Sequence, residues 1–262
     1  MPRVLIRRTP LADFLAALTL LTRLPVWRLV QPPQEAYRHT VPYWPLTGWI
    51  TGSLMAAVLW LAAQVLPLQL AWLVALAVRL LLTGCLHEDG LGDFFDGFGG
   101  GTSREATLRI MKDSHAGSYA VVGLAAYGLL LAHVPTGGLP LPVLCALLAC
   151  GDPWCKAVAA QIINVLPYAR PESDCKMGVT YRRMSRGEVA VSLVAGALPV
   201  LCLPSAALLP ALLAPVATFA WLVLLMHKRL GGYTGDCCGA LFLLCELSFL
   251  LCAVALWRGL VA

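Results

Sequence analysis

Five of the chain's fourteen acidic residues fall between His87 and Glu105, in His87-Glu88-Asp89-Gly90-Leu91-Gly92-Asp93-Phe94-Phe95-Asp96-Gly97 and just beyond. On a helix Asp89, Asp93 and Asp96 are i, i+4 and i+7, and at about 100° per residue they share roughly a 60° arc. Like charges so placed repel by a few tenths of a kcal/mol in water, and the cost grows near lipid. A divalent cation removes the conflict. Hard oxygen ligands suit Mg²⁺ or Mn²⁺, and Mg²⁺ usually takes one or two carboxylates together with substrate phosphates. The metal-ligand candidates are therefore Glu88, Asp89, Asp93 and Asp96. Glu88 is the outlier, about 100° from Asp89. The competing reading is a solvated acidic helix end with no ligand.

Two further polar islands occur. Arg109-Ile110-Met111-Lys112-Asp113-Ser114-His115 offers Arg109 and Lys112 to phosphate, the first by bidentate pairing and the second as a point charge, with Asp113 and Ser114 beside them. The same cations also suit a cytoplasmic loop flank, the preferred reading for Arg104. His227-Lys228-Arg229-Leu230-Gly231-Gly232-Tyr233-Thr234-Gly235-Asp236 has a glycine-rich backbone able to wrap an anion, with Lys228 and Thr234 as ligands. Asp236 could bind metal or position a nucleophile. Glu246, ten residues on, lies in an apolar run and needs a partner there, as does Arg79. Asp152 and Lys156 either pair structurally at i,i+4 or bind substrate.

What positions these islands is an apolar scaffold. The 262 residues are 59% hydrophobic and only 13% charged, against roughly 45–50% and about 25% in soluble domains. Disordered tails, nucleic-acid-binding domains and ordinary cytosolic enzymes are disfavoured, and no nucleic-acid partner is expected. The expected fold is all-α: one integral membrane domain over residues 1–262, a polytopic bundle in a lipid bilayer. Seven stretches approach the roughly 20 residues a span needs: Pro45–Leu66, Leu68–Leu86, Ala116–Val134, Leu139–Leu166, Glu188–Leu203, Ser205–Met226 and Cys238–Trp257. Leu11–Thr22 is too short to cross and reads as re-entrant or interfacial. The connections near Pro67, Gly137 and Pro204 lack Lys and Arg, whereas the alternate ones are basic. That alternation puts the N-terminus and all three polar islands on the cytoplasmic face and the C-terminus outside. The ten cysteines mostly sit in apolar runs, where a thiol is a small hydrophobe. Alanine- and glycine-rich helices could pack within one bundle or across a homo-oligomer.

The three islands, with Leu21-Thr22-Arg23-Leu24-Pro25-Val26 and Tyr168-Ala169-Arg170, resemble the motif regions of the cobalamin synthase family, the adenosylcobinamide-GDP ribazoletransferases. The resemblance runs in order along nearly the whole chain. Gly92 stands where the family often has alanine, and Lys156 near a position often occupied by arginine. The resemblance implies a Mg²⁺-dependent multi-pass enzyme of the bacterial inner membrane, acting late in vitamin B12 assembly. Its substrates would be adenosylcobinamide-GDP and α-ribazole or α-ribazole 5′-phosphate. Its products would be adenosylcobalamin or its 5′-phosphate, and GMP. Such a displacement at phosphorus needs a proton acceptor for the ribazole hydroxyl, with Asp96 and Asp236 as the candidates. A CDP-alcohol phosphotransferase is the alternative enzyme, although its D-G-x2-A-R spacing is missing after Asp89-Gly90. A cation or cobamide transporter is the alternative from another class; it would favour midplane acids and paired broken helices.

Overall fold

A computed structural model describes residues 4–5, 7–170 and 181–261. The basic loop Pro171–Gly187 thus lies partly outside the described residues. The α-helices run in the order α1 (Pro10–Leu21), α2 (Val26–Leu29), α3 (Trp44–Ala62), α4 (Leu68–Thr83), α5 (Leu86–Gly100), α6 (Arg104–Ile110), α7 (Ser118–Ala132), α8 (Leu141–Ala160), α9 (Ile162–Val165), α10 (Arg186–Ala197), α11 (Leu213–Leu230) and α12 (Gly235–Val261). A two-residue parallel pairing, Val4–Leu5 with Val30–Gln31, is the one named sheet among the described residues. The all-α expectation is met.

Four helical segments are long and apolar enough to cross a membrane: Val41–Ala62, Leu141–Val165, Ala206–Leu230 and Gly235–Leu260. The pair α4 and α5 gives a fifth if counted as one bent span. The chain is therefore a multi-pass membrane protein with four to five such segments among the described residues, fewer than the seven stretches expected. The differences have local causes. The stretch Leu68–Leu86 stops at Thr83, because Gly84 (φ 65°) and Cys85 (φ 58°) are both left-handed, and α5 leaves at 89° to α4. Gly84 suits the left-handed φ there, which costs a residue without a Cβ nothing. The third stretch forms α7, only 15 residues long. The fifth divides into α10 and a 3-10 turn at Leu198–Cys202, with Pro199 at the break. Leu11–Thr22 is the 12-residue α1.

Close packing of small residues draws the central helices together. On α3, a Cβ at Gly48 would lie 2.8 Å from the Pro153 backbone, and one at Gly52 2.5 Å from the Leu148 carbonyl. Without those side chains α3 and α8 lie backbone against backbone. Thr51 then reaches Asp152, donating to its Oδ2 at 2.5 Å. Helices α5 and α12 cross in the same way, and that crossing builds the site.

Candidate active site

The acidic motif does form a helix, α5, so Asp89, Asp93 and Asp96 share the expected face. Their surroundings differ. Asp89 is exposed and Asp93 half-buried. Asp96 is buried: its Oδ2 accepts the Gly117 N–H at 2.6 Å and its Oδ1 the Ala120 N–H at 2.8 Å. Those amides open α7, so Asp96 caps that helix from a neighbouring element, where a negative charge is also favoured by the helix dipole. A Cβ on Gly117 would meet the Asp96 carboxylate at 2.7 Å.

Two glycines set the meeting of the first and third motifs. A Cβ at Gly90 would stand 2.9 Å from the Asp236 carbonyl oxygen, and one at Gly239 3.1 Å from that of His87. Nothing larger fits at this crossing of α5 and α12. As a result Asp89 and Asp236 line one cavity of about 170 Å³, together with His87, Gly90, Lys156, Tyr168, Arg170 and Phe242. Arg170 lies 3.7 Å from Asp236 Oδ2 and gives a longer hydrogen bond, 3.4 Å, to the Leu108 carbonyl.

The glycine-rich third motif is held by backbone pairing. Gly231 (φ 64°) ends α11 in the left-handed conformation. Tyr233 N–H donates to Pro167 (2.9 Å) and Ala169 N–H to Tyr233 (2.8 Å), so Tyr168-Ala169-Arg170 runs alongside Gly232-Tyr233. Gly232 permits this approach, since its Cβ would sit 2.4 Å from the Pro167 oxygen. Arg104 ties both strips down, donating to the carbonyls of Leu230 (2.8 Å) and Ala169 (2.7 Å). It is thus more than a loop flank.

Several expected residues are placed elsewhere. Glu88 is turned to the interior, 3.5 Å from Arg79 across an ion pair, with Arg79 also bound to Glu246 and, at 3.2 Å, to Tyr127. Among the described residues neither Glu88 oxygen has a hydrogen-bond partner. That takes Glu88 out of the aspartates' company and joins the two spans' unpaired charges, Arg79 and Glu246, to each other. Thr234 is buried and spends its hydroxyl on the start of α12, accepting Cys237 N–H at 3.3 Å and donating to Asp236 at 3.4 Å. Arg109, Lys112, Asp113, Ser114 and Lys228 are exposed, and none lines the cavity. Asp113 accepts from His115 at 2.7 Å, which holds its carboxyl below the ordinary 3.8. Lys156 pairs with Asp152 and donates to Thr51 at 2.9 Å, so the structural half of its expectation holds. It nevertheless lines the cavity, 4.6 Å over the Phe242 ring.

Among the described residues no group of three or more His, Cys, Asp or Glu side chains is placed to hold a metal. The carboxylates present fit the way Mg²⁺ is held with a phosphorylated substrate, by one or two hard carboxylates: Asp89 lines the cavity, and Asp93 lies one helical turn along the same face of α5. Sequence reasoning did not single out Arg170, His87 or the cavity's aromatic wall as site residues. The resemblance around Tyr168-Ala169-Arg170 was the signal available for Arg170.

The chain matches the family model described as cobalamin-5-phosphate synthase over residues 13–254. An adenosylcobinamide-GDP ribazoletransferase of Shewanella sp. (strain W3-18-1) is 36% identical over 237 residues, covering 89% of this chain and 90% of the relative. One of Leptothrix cholodnii is 38% identical over 242 residues, covering 90% and 92%. One of Shewanella oneidensis is 33% identical over 237 residues, covering 89% and 90%. No solved structure matches. With the first and third motifs meeting at one cavity and matches of this extent, the chain belongs to the cobalamin-5-phosphate synthase family.

Proposed function

We propose that the chain is an adenosylcobinamide-GDP ribazoletransferase of cobalamin biosynthesis. It would move the adenosylcobinamide-phosphate group from adenosylcobinamide-GDP to a hydroxyl of α-ribazole or α-ribazole 5′-phosphate, releasing GMP. Besides the family, one observation carries the reading: Asp89 of the first motif and Asp236 of the third line the same cavity, with Arg170 against Asp236. Opening a diphosphate needs charge neutralised, a hydroxyl aligned and a proton removed. Those three demands fit an acid pair, an arginine and a second carboxylate.

Asp89 and Asp93 would hold Mg²⁺, which when bound neutralises diphosphate charge and favours departure of GMP. Asp236 is the better proton acceptor of the two candidates. It faces the cavity, whereas both oxygens of Asp96 are occupied by the amides of α7. Arg170 would pair with phosphate oxygens once substrate competes for it. Arg109, Lys112 and Lys228 are exposed and outside the cavity wall, and would draw the anionic substrate in rather than grip it.

The basic connections favour a cytoplasmic site in the bacterial inner membrane. Seven crossings require α4, α7 and α10 to cross as short helices in a locally thinned bilayer. An active C-terminal reporter enzyme on the outer side supports that topology; activity only in the cytoplasm overturns it.

The direct test supplies purified membranes with adenosylcobinamide-GDP, α-ribazole and Mg²⁺, and assays cobalamin and GMP together. Equal amounts of both, lost on adding EDTA, are expected. GMP without cobalamin overturns the transfer, and EDTA-resistant turnover overturns the metal. Transfer to lipid head groups would favour the phosphotransferase alternative.

A further inference from the structure

The cavity has a second character beyond its acids. Much of its wall is apolar or aromatic: Tyr37, Trp44, Tyr168, Tyr181 and Phe242, with Leu20 and Leu21 from α1. Trp44, the first residue of α3, meets Tyr181 edge to face at 5.5 Å and is 5% exposed. Among the described residues its indole Nε1–H is buried without a hydrogen-bond partner, and so is Nε of Arg170, 8% exposed. Buried donors are nearly always satisfied, and leaving one bare costs about 1–3 kcal/mol. Trp44 and Arg170 both belong to the cavity wall, and each carries a bare donor that a ligand's acceptor would satisfy.

Size narrows the ligand. About 170 Å³ is below the roughly 300–1,000 Å³ of pockets that enclose whole drug-sized molecules. The cavity therefore takes part of a substrate. Aromatic walls favour a flat ring, and an indole N–H among them calls for a ring-nitrogen acceptor. Guanine would also need acceptors for its ring N–H and amino group. Among the described residues the carboxylates lining the cavity are Asp89 and Asp236, which the proposed chemistry already uses.

We infer that this aromatic chamber binds the heteroaromatic base of the acceptor nucleoside, Trp44 Nε1 donating to its ring nitrogen, and so turns the ribose hydroxyl toward Asp236. This rests on the transferase reading above. Trp44 would be a specificity residue for the nucleoside and not for the guanylated donor.

The test compares wild type with Trp44→Phe, which removes the N–H and keeps a flat ring. KM for α-ribazole should rise about five- to tenfold, the worth of one hydrogen bond, with KM for adenosylcobinamide-GDP within twofold. An unchanged nucleoside KM, or a rise confined to the donor, overturns the inference. A second measurement needs no variant: free benzimidazole should compete with α-ribazole on the wild-type enzyme, and guanine should not. Competition by guanine alone assigns the chamber to the donor and overturns the inference. Absence of any wild-type transfer indicts the transferase reading instead. In that case quenching of wild-type tryptophan fluorescence by benzimidazole, lost in Trp44→Phe, still decides the chamber: quenching supports it, and none overturns it.

Discussion

Glu88 and Asp89 are consecutive acids on one helix, and they end in opposite environments. Glu88 turns inward to Arg79, within a buried cluster that also holds Glu246 and Tyr127. Asp89 turns to an open cavity shared with Asp236. The first region spends its charges on each other, as ionisable groups inside a membrane bundle must. The second keeps carboxylates facing space that a substrate can enter. The helix supplies the roughly 100° between them, and the glycine crossing of α5 on α12 decides which partner each acid meets. Being acidic is thus no guide to function here; the guide is whether the fold closes the acid into a buried charge cluster or leaves it in the cavity wall.

The comparison can be broken most sharply at the cavity. Asp236→Asn in its wall, and Asp93→Asn one helical turn from Asp89 on α5, should each cut transfer on the order of 10²–10³-fold, as losing one group that stabilises developing charge does, while the protein still inserts and purifies. Wild-type turnover in Asp93→Asn would refute the metal assignment. In the buried cluster the effect should fall on folding. Arg79→Met strands two carboxylates and should cost about 3–5 kcal/mol, read as a lower melting temperature in detergent. Adding Glu88→Gln and Glu246→Gln to it should restore most of that loss; no recovery would mean that Arg79 does not serve to neutralise them.

Asp96 sits between the two regimes. Asp96→Ala leaves the Gly117 and Ala120 amides without their acceptor and should cost about 1–2 kcal/mol, as for other lost helix caps. Activity should fall only as far as α7 loosens, with KM values little changed. A loss as deep as that of Asp236→Asn would return Asp96 to the chemistry. The smallest effect is expected at Asp113. Its carboxyl is held below the ordinary 3.8 by His115. A depressed carboxyl contributes stability that is present above the unfolded value and lost as pH falls through the folded one. Hydrogen exchange in residues 111–117, corrected for intrinsic rates, should therefore stay level from about pH 7 to about pH 5 and quicken only below about pH 4. Quickening near pH 6 would contradict the sign.

Much of the site was legible because helical periodicity is local. Asp89, Asp93 and Asp96 share a face as spacing requires, and Glu88 stands off it. The demand that Arg79 and Glu246 find partners also follows from burying charge in apolar runs. The hidden parts depend on tertiary approach. Periodicity cannot show that Asp96 will meet amides twenty-one and twenty-four residues away. Nor does it show that Cys85, with no glycine's freedom, will adopt φ 58° and end the second apolar stretch early. Composition gave the lipid-embedded class, but not which of the shorter stretches, such as α7 and α10, reach the length of a crossing. The aromatic chamber is hidden from sequence because its walls come from six separate parts of the chain, of which only those at Leu21 and Tyr168 fall in motif regions.

One matched pair tests the central claim. Asp89→Asn and Glu88→Gln remove one charge each from adjacent residues without changing shape. Turnover of adenosylcobinamide-GDP with α-ribazole would be measured for both in reconstituted vesicles with Mg²⁺. The account predicts that Asp89→Asn loses on the order of 10³-fold in kcat, while Glu88→Gln stays within about tenfold, its charge serving only Arg79. Near wild-type turnover in Asp89→Asn, or a deeper loss in Glu88→Gln, would contradict it.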